Sequence, residues 1–168
     1  LKEIIKKNRT KFKLAFLPKY SGVNIRISKN DPLVADSDLI KFKSDIYEVT
    51  GRYIYSEKNE SLEQVIINIL KEKGISLSIA ESCTGGMISK KITDIPGSSN
   101  VYKGGVIAYS NYLKIKLLNI DQSIIEKYGA VSKEVASLMA KGIKNKTKSD
   151  IGIATTGISG PNGGTQDK

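Results

Sequence analysis

Between Ser61 and Thr155 the chain switches repeatedly between short β-prone runs and stretches with helical spacing, and this alternation constrains the fold more than any other feature. Ser61 with Gln64 three residues on forms a capping box, after which Leu62, Val65, Ile66, Ile69 and Leu70 keep helical spacing until Gly74. The pattern then predicts a strand over 75–80, a helix over 86–93, a strand over 105–109 and a helix over 111–118. A longer helix over 132–146, with Val135, Leu138, Met139 and Ile143 inward, precedes a strand over 150–155. Strand-helix alternation of this kind predicts an α/β protein: a layered α/β/α domain with largely parallel pairing. Three strands make a small open sheet, so the natural protein is expected to continue past Lys168, leaving this domain incomplete at its C-terminus.

The first 58 residues read differently. Leu1 to Lys7 suits the end of a helix, and the missing initiator Met suggests a chain cut from a longer one. Phe12, Leu14 and Phe16 alternate with polar or small neighbours, Pro18 to Gly22 suits a turn, and Val23, Ile25 and Ile27 alternate again, which predicts a hairpin. Asp36 or Ser37 can cap a helix whose Leu39, Ile40, Ile46 and Tyr47 share a face; Gly51 ends it before a short strand over 53–55. Helix, hairpin, helix and strand make a small KH-like α+β domain, yet the Gly-x-x-Gly loop with which KH modules clamp a nucleic-acid backbone is absent. The domain boundaries are accordingly 1–58 and 59–168.

Composition removes several classes of function. The 168 residues include no histidine, so neither a Ser-His-Asp triad, a Cys-His dyad nor a histidine metal site can be built. A single cysteine makes no internal disulfide, no apolar run approaches the roughly 20 residues of a membrane span, and no export leader opens the chain. A cytoplasmic protein without membrane contact is expected. The formal charge of +10 invites nucleic acid, but only Arg9, Arg26 and Arg52 are arginines, and residues 1–75 and 76–168 each carry half of the excess. Specific phosphate and base recognition favours the arginine fork, so nucleic acid is not the expected partner, although Lys2, Lys6, Lys7, Arg9, Lys11 and Lys13 form a basic N-terminal cluster.

The densest chemistry lies at predicted strand ends. Glu81-Ser82-Cys83-Thr84-Gly85-Gly86 joins a strand to a helix, which exposes Ser82 where open α/β sheets place their ligands and offers N–H groups to an anion or developing oxyanion. The same residues also suit a plain helix cap with glycines easing the turn. Cys83, with no histidine to activate it, reads as a small hydrophobe. At the next strand end Asn111 can cap a helix that points Lys114 back toward Tyr109. Lysine is the remaining base for a serine nucleophile, provided its pKa drops from about 10.4 to near 7, a penalty of about 4 kcal/mol on the ammonium. Otherwise Lys114 is one solvated lysine among 24. Pro96-Gly97-Ser98-Ser99 and the loop 155–164 add hydroxyls and glycines, either as turns or for close approach to phosphate or ribose; the second fits neither a Walker A loop nor Gly-x-Gly-x-x-Gly. No Cys/His cluster or tight carboxylate array points to a metal, and no cofactor is expected.

Five motifs in order, AESCTGG, ITDIPGSS, VIAYSN followed by Lys114, YGAVS and TTGISGPNGGT, spread over residues 80–165, resemble the C-terminal domain of the competence/damage-inducible protein CinA family. The segments KLAFLP and IYEVTGRYIYS resemble the KH-like middle domain that precedes it in full-length members, which carry a molybdopterin-binding-like domain further upstream. The resemblance implies an amidase that deamidates nicotinamide mononucleotide to nicotinate mononucleotide and ammonia in pyridine nucleotide salvage. It implies Ser82 as the acylated nucleophile, Lys114 as its general base and Tyr109 as an aid to the proton relay. It further implies that N–H groups near Thr84, Gly85 and Gly86 stabilise the oxyanion, while Ser99, Asn111 and the loop containing Thr156, Gly157 and Gly160 hold the substrate. A pyridine nucleotide and a second copy of the chain, as a homodimer, are the partners this implies. The competing class is a non-catalytic nucleotide- or nucleic-acid-binding regulatory module of competence or DNA damage.

Overall fold

The structure, a computed structural model, describes residues 1–19 and 22–160. Its contacts divide the chain into one unit over Leu1–Val65 and a second from Ile66 onward.

The first unit contains α1 (Lys2–Asn8), β1 (Phe12–Lys19), β2 (Gly22–Lys29) and α2 (Asp36–Thr50), followed by one 3₁₀ turn at Gly51–Tyr53. The expected helix, hairpin and helix are therefore present. β1 and β2 pair antiparallel from Phe12 opposite Lys29 to Lys19 opposite Gly22, so Pro18 lies within the ladder opposite Val23 rather than opening the turn. The strand expected over 53–55 does not form: the backbone tightens into the 3₁₀ turn, and Gly51 is right-handed rather than a left-handed helix stop. The small core stacks Phe12 on Phe42, with ring centroids 4.9 Å apart, and adds Ile46. On α2 the inward stripe is Leu39, Phe42 and Ile46, at spacings of three and four, whereas Ile40 faces water. Ala35 precedes the helix without a side-chain cap; Asp36 and Asp38 lie in its first turn, where they favour the positive helix end and bond Lys29 and Lys11.

α3 (Leu62–Lys73) is capped as its sequence predicts, the Gln64 N–H donating to Ser61 Oγ at 3.2 Å, and ends at Gly74. Then follow β3 (Leu77–Glu81), α4 (Met87–Thr93), β4 (Tyr102–Ile107), α5 (Asn111–Leu118), α6 (Gln122–Tyr128), α7 (Lys133–Thr147) and β5 (Ile151–Thr155). α6 was not predicted; Asp121 caps it through the Ser123 N–H. The sheet is parallel throughout with order β4-β3-β5, and every residue of the central β3 is buried. Leu77 and Ile79 pack into one cluster with Ile67, Leu70, Ile92 and Val101, while Ala80 packs into another with Leu118, Val135, Met139 and Ile143. These are the two faces of one alternating strand, so the parallel sheet is flanked by helices as the layered α/β expectation required. α7 lies hard against β5, where a Cβ on Gly152 would stand 2.1 Å from the Ala140 carbonyl oxygen.

Strand β3 is followed by a helix on one face, and β4 by helices on the other, with β4 and β5 on opposite sides of β3. Such a reversal leaves a crevice at the carboxyl end of the central strand, which places Ser82 at its mouth. No helix among the described residues is long and apolar enough to cross a membrane.

Candidate active site

The turn after β3 carries Ser82, and Ser110 caps the helix that carries Lys114 by accepting the Leu113 N–H at 3.2 Å. Ser110 thus holds the cap expected of Asn111, which is the first helical residue and exposed. From the first turn of α5 the Lys114 side chain runs inward and is only 2% exposed. Its Nζ donates to Ser82 Oγ at 3.1 Å, to the Ala108 carbonyl at 2.8 Å and to the Tyr109 carbonyl at 3.0 Å. Ser82 is 6% exposed, so residues 32 apart in sequence meet in a nearly dry site.

Three acceptors match the three donors of an ammonium, but a neutral amine fits the same socket. Two N–H groups then remain on the carbonyls, and the lone pair faces the Ser82 hydroxyl. Burial strips water from the ammonium and lowers the Lys114 pKa from the ordinary lysine value, opposed in part by Cys83 beside it. The solvated alternative for Lys114 is excluded by this position.

Tyr109 enters differently from the expectation. Tyr109 is 72% exposed and its hydroxyl has no hydrogen bond among the described residues; its backbone carbonyl is what reaches Lys114. A relay through the phenol is therefore not formed here.

The N–H groups of the 82–86 turn are largely claimed. Ser82 N–H donates to Thr155 O at 3.0 Å, Gly85 N–H to Ser82 O at 3.1 Å and Gly86 N–H to Glu81 Oε2 at 3.0 Å. Gly85 and Gly86 are thus spent inside the turn, contrary to the expectation that they face an oxyanion, whereas Cys83 and Thr84 N–H have no acceptor among the described residues. The Thr84 hydroxyl pairs with Thr155 Oγ1 at 2.7 Å, pinning the turn to β5.

Glu81 was the residue that sequence reasoning passed over. It is fully buried, and its carboxylate accepts from Gly86 N–H, Ile88 N–H and both the N–H and hydroxyl of Ser89, at 2.6–3.1 Å. Burial alone raises its pKa, but the Ser89 hydroxyl and N–H, the Thr84 hydroxyl and the Ile88 N–H outweigh it and leave the carboxyl below the ordinary glutamate range. The α4 N-terminus is consequently neutralised by the protein's own carboxylate and is not open to a substrate anion. Its signal was an acidic residue just before a helix start, masked by its place at the end of an apolar strand.

Of the remaining expected residues, Thr156 and Gly157 lie beside the 82–86 turn. A Cβ on Gly157 would stand 3.1 Å from Cys83 Sγ, and Thr156 Oγ1 donates to Ala130 O at 2.9 Å. Cys83 is half-buried rather than core. Gly160 is exposed, and positions 161–164 of the same loop lie outside the described residues. Ser99 sits exposed in the 3₁₀ turn Ser98–Asn100 and makes no hydrogen bond to Ser82 or Lys114.

Residues 59–168 match the model of the CinA C-terminal domain family. A CinA-like protein of Dictyoglomus turgidum is 51% identical over 74% of this chain, and one of Pseudothermotoga lettingae is 44% identical over 89% of it. The chain spans only 30% and 36% of those relatives' lengths. Among solved structures, a competence/damage inducible protein from Agrobacterium tumefaciens is 38% identical with a TM-score of 0.61, covering 64% of this chain and 65% of its own. A CinA superfamily protein from Escherichia coli also gives 0.61, at 31% identity over 68% of this chain and 70% of its own. On the family match over most of its length, the chain belongs to the CinA family.

Proposed function

We propose that the second unit is a serine-lysine amidohydrolase acting on the carboxamide of nicotinamide mononucleotide. The observation that carries this reading is Lys114 Nζ at 3.1 Å from Ser82 Oγ, both buried, in a chain without histidine. Neutral Lys114 takes the Ser82 proton as Oγ attacks the amide carbon, and the Cys83 and Thr84 N–H groups donate to the oxyanion that develops. The resulting ammonium protonates the departing nitrogen, and ammonia leaves from an acyl-serine. Water, deprotonated by the same amine, then attacks the acyl carbon, releasing nicotinate mononucleotide and restoring Ser82. The Ala108 and Tyr109 carbonyls hold the amine in line through both half-reactions. The loop around Thr156 and Gly157 borders the nucleotide, and the working protein is a homodimer.

The test is ammonia release from nicotinamide mononucleotide by the 168-residue chain and by a form extended to the length of its relatives. Ser82→Ala and Lys114→Met should each lower kcat by at least about 1,000-fold while leaving the melting transition cooperative. A folded, extended wild type that releases no ammonia would leave a nucleotide-binding module without this activity.

A further inference from the structure

The Glu81 carboxylate does more than end a strand. It takes every N–H of the α4 first turn that the described structure assigns to a side chain, at Gly86, Ile88 and Ser89. Ser89 is held in turn by the Tyr102 hydroxyl, which donates to Ser89 Oγ at 2.7 Å. Gly86, at φ +96, makes the left-handed step that brings its N–H onto the carboxylate, a conformation that disfavours any Cβ. With Gly85 bonded to Ser82 O, the turn is fixed at both ends, and the N–H groups without an acceptor among the described residues are those of Cys83 and Thr84, directly after the serine. The backbone of Glu81 reaches the other half of the site: its carbonyl accepts the Ala108 N–H at 2.7 Å, and the Ala108 carbonyl accepts from Lys114.

We propose that Glu81 is a positioning residue whose buried carboxylate holds the 82–86 turn so that the Cys83 and Thr84 N–H groups stay free for the oxyanion. The proposal rests on Ser82 being the nucleophile, but not on the identity of the substrate. Glutamine cannot replace the carboxylate. Its NH₂ must face either the Gly86 and Ile88 N–H groups or the Ser89 N–H, donor against donor. The Lys114 socket is made by backbone carbonyls, so it survives the change.

The experiment measures the rate at which a fluorophosphonate labels Ser82, followed by intact mass against pH, in wild type and Glu81→Gln. Ser82 Oγ attacks phosphorus, fluoride leaves, the proton passes to Lys114, and the anionic phosphoryl oxygen needs the same N–H donors. The plateau rate should fall by about 100-fold in Glu81→Gln, while the pH midpoint, set by Lys114, stays in place. Glu81→Asp, which keeps a carboxylate on a shorter stem, should recover part of the loss. An unchanged plateau would overturn the proposal, as would a midpoint that moves up to the ordinary lysine range, because general loosening of the unit would then explain the loss. A folded wild type whose Ser82 resists the probe would also overturn it, whereas labelling without ammonia release would remove only the amidase reading.

Discussion

At the residue scale the site turns on a buried lysine whose ammonium is disfavoured by burial. Burial lowers the Lys114 pKa, so the neutral amine is present at lower pH than for a lysine in water. For the proposed amidase, kcat/KM should therefore rise with pH and level off with a midpoint below about 10.4, the ordinary lysine value. A midpoint at or above that value would show that Lys114 is not the base. The same shift affects stability with a definite sign. The folded chain binds fewer protons at this position than the unfolded one, so this group's contribution to stability improves as pH rises from the folded pKa toward the unfolded value. That Ser82 and Lys114 sit at neighbouring strand ends was legible in the sequence, because a strand-turn-helix pattern recurs at both, and the structure brings the two side chains to 3.1 Å. At Tyr109 the sequence shows a phenol near the lysine, whereas the strand end turns that residue to solvent and presents its backbone carbonyl to Lys114.

At the element scale, close packing of helix on strand positions the site. β5 supplies both the Thr155 carbonyl that holds the Ser82 N–H and the hydroxyl that holds Thr84, and α7 packs directly on β5 through Gly152. Gly152→Ala would place a methyl 2.1 Å from the Ala140 carbonyl oxygen. The backbone must shift, and the cost should be about 1–3 kcal/mol in urea denaturation of the second unit. An unchanged midpoint of unfolding would show that α7 yields more easily than this packing implies. Helix existence was largely readable here, from the Ser61 cap to the Val135, Met139 and Ile143 stripe. The caps at Ser110 and Ala35 and the whole of α6 were not. Neighbouring polar residues offer nearly equivalent cap chemistry, and a seven-residue helix carries too few apolar positions to show its period.

At the scale of the whole molecule, charge and acid response follow from the same contacts. Besides Glu81, the carboxyls of Asp36, Asp121 and Asp150 lie below their ordinary range, held respectively by the Lys29 side chain, by the Ser123 hydroxyl and N–H, and by the Ser76 hydroxyl and N–H. Each contributes stability that is present above the unfolded carboxyl pKa, about 4, and is lost as pH falls through the folded value. Protonating the 17 acidic groups also leaves 27 basic ones to repel one another. Melting temperature should thus be nearly flat from pH 6 to 7 and drop steeply below about pH 4, with Glu81→Gln showing a shallower drop because one linked proton is gone. Equal slopes in the two proteins would show that Glu81 does not carry a lowered pKa.

The sequence by itself determined the layered α/β plan and the chemistry available to it. Alternating periods of two and 3.6 residues are local properties, and a missing residue type is absent from every fold the chain can adopt. Tertiary structure alone decided which N–H groups of the 82–86 turn are spent on described residues, that the Glu81 carboxylate closes the α4 turn, and that Lys114 is buried. Those are matters of distances between residues far apart in the chain and of water excluded by packing, and neither is written in local spacing.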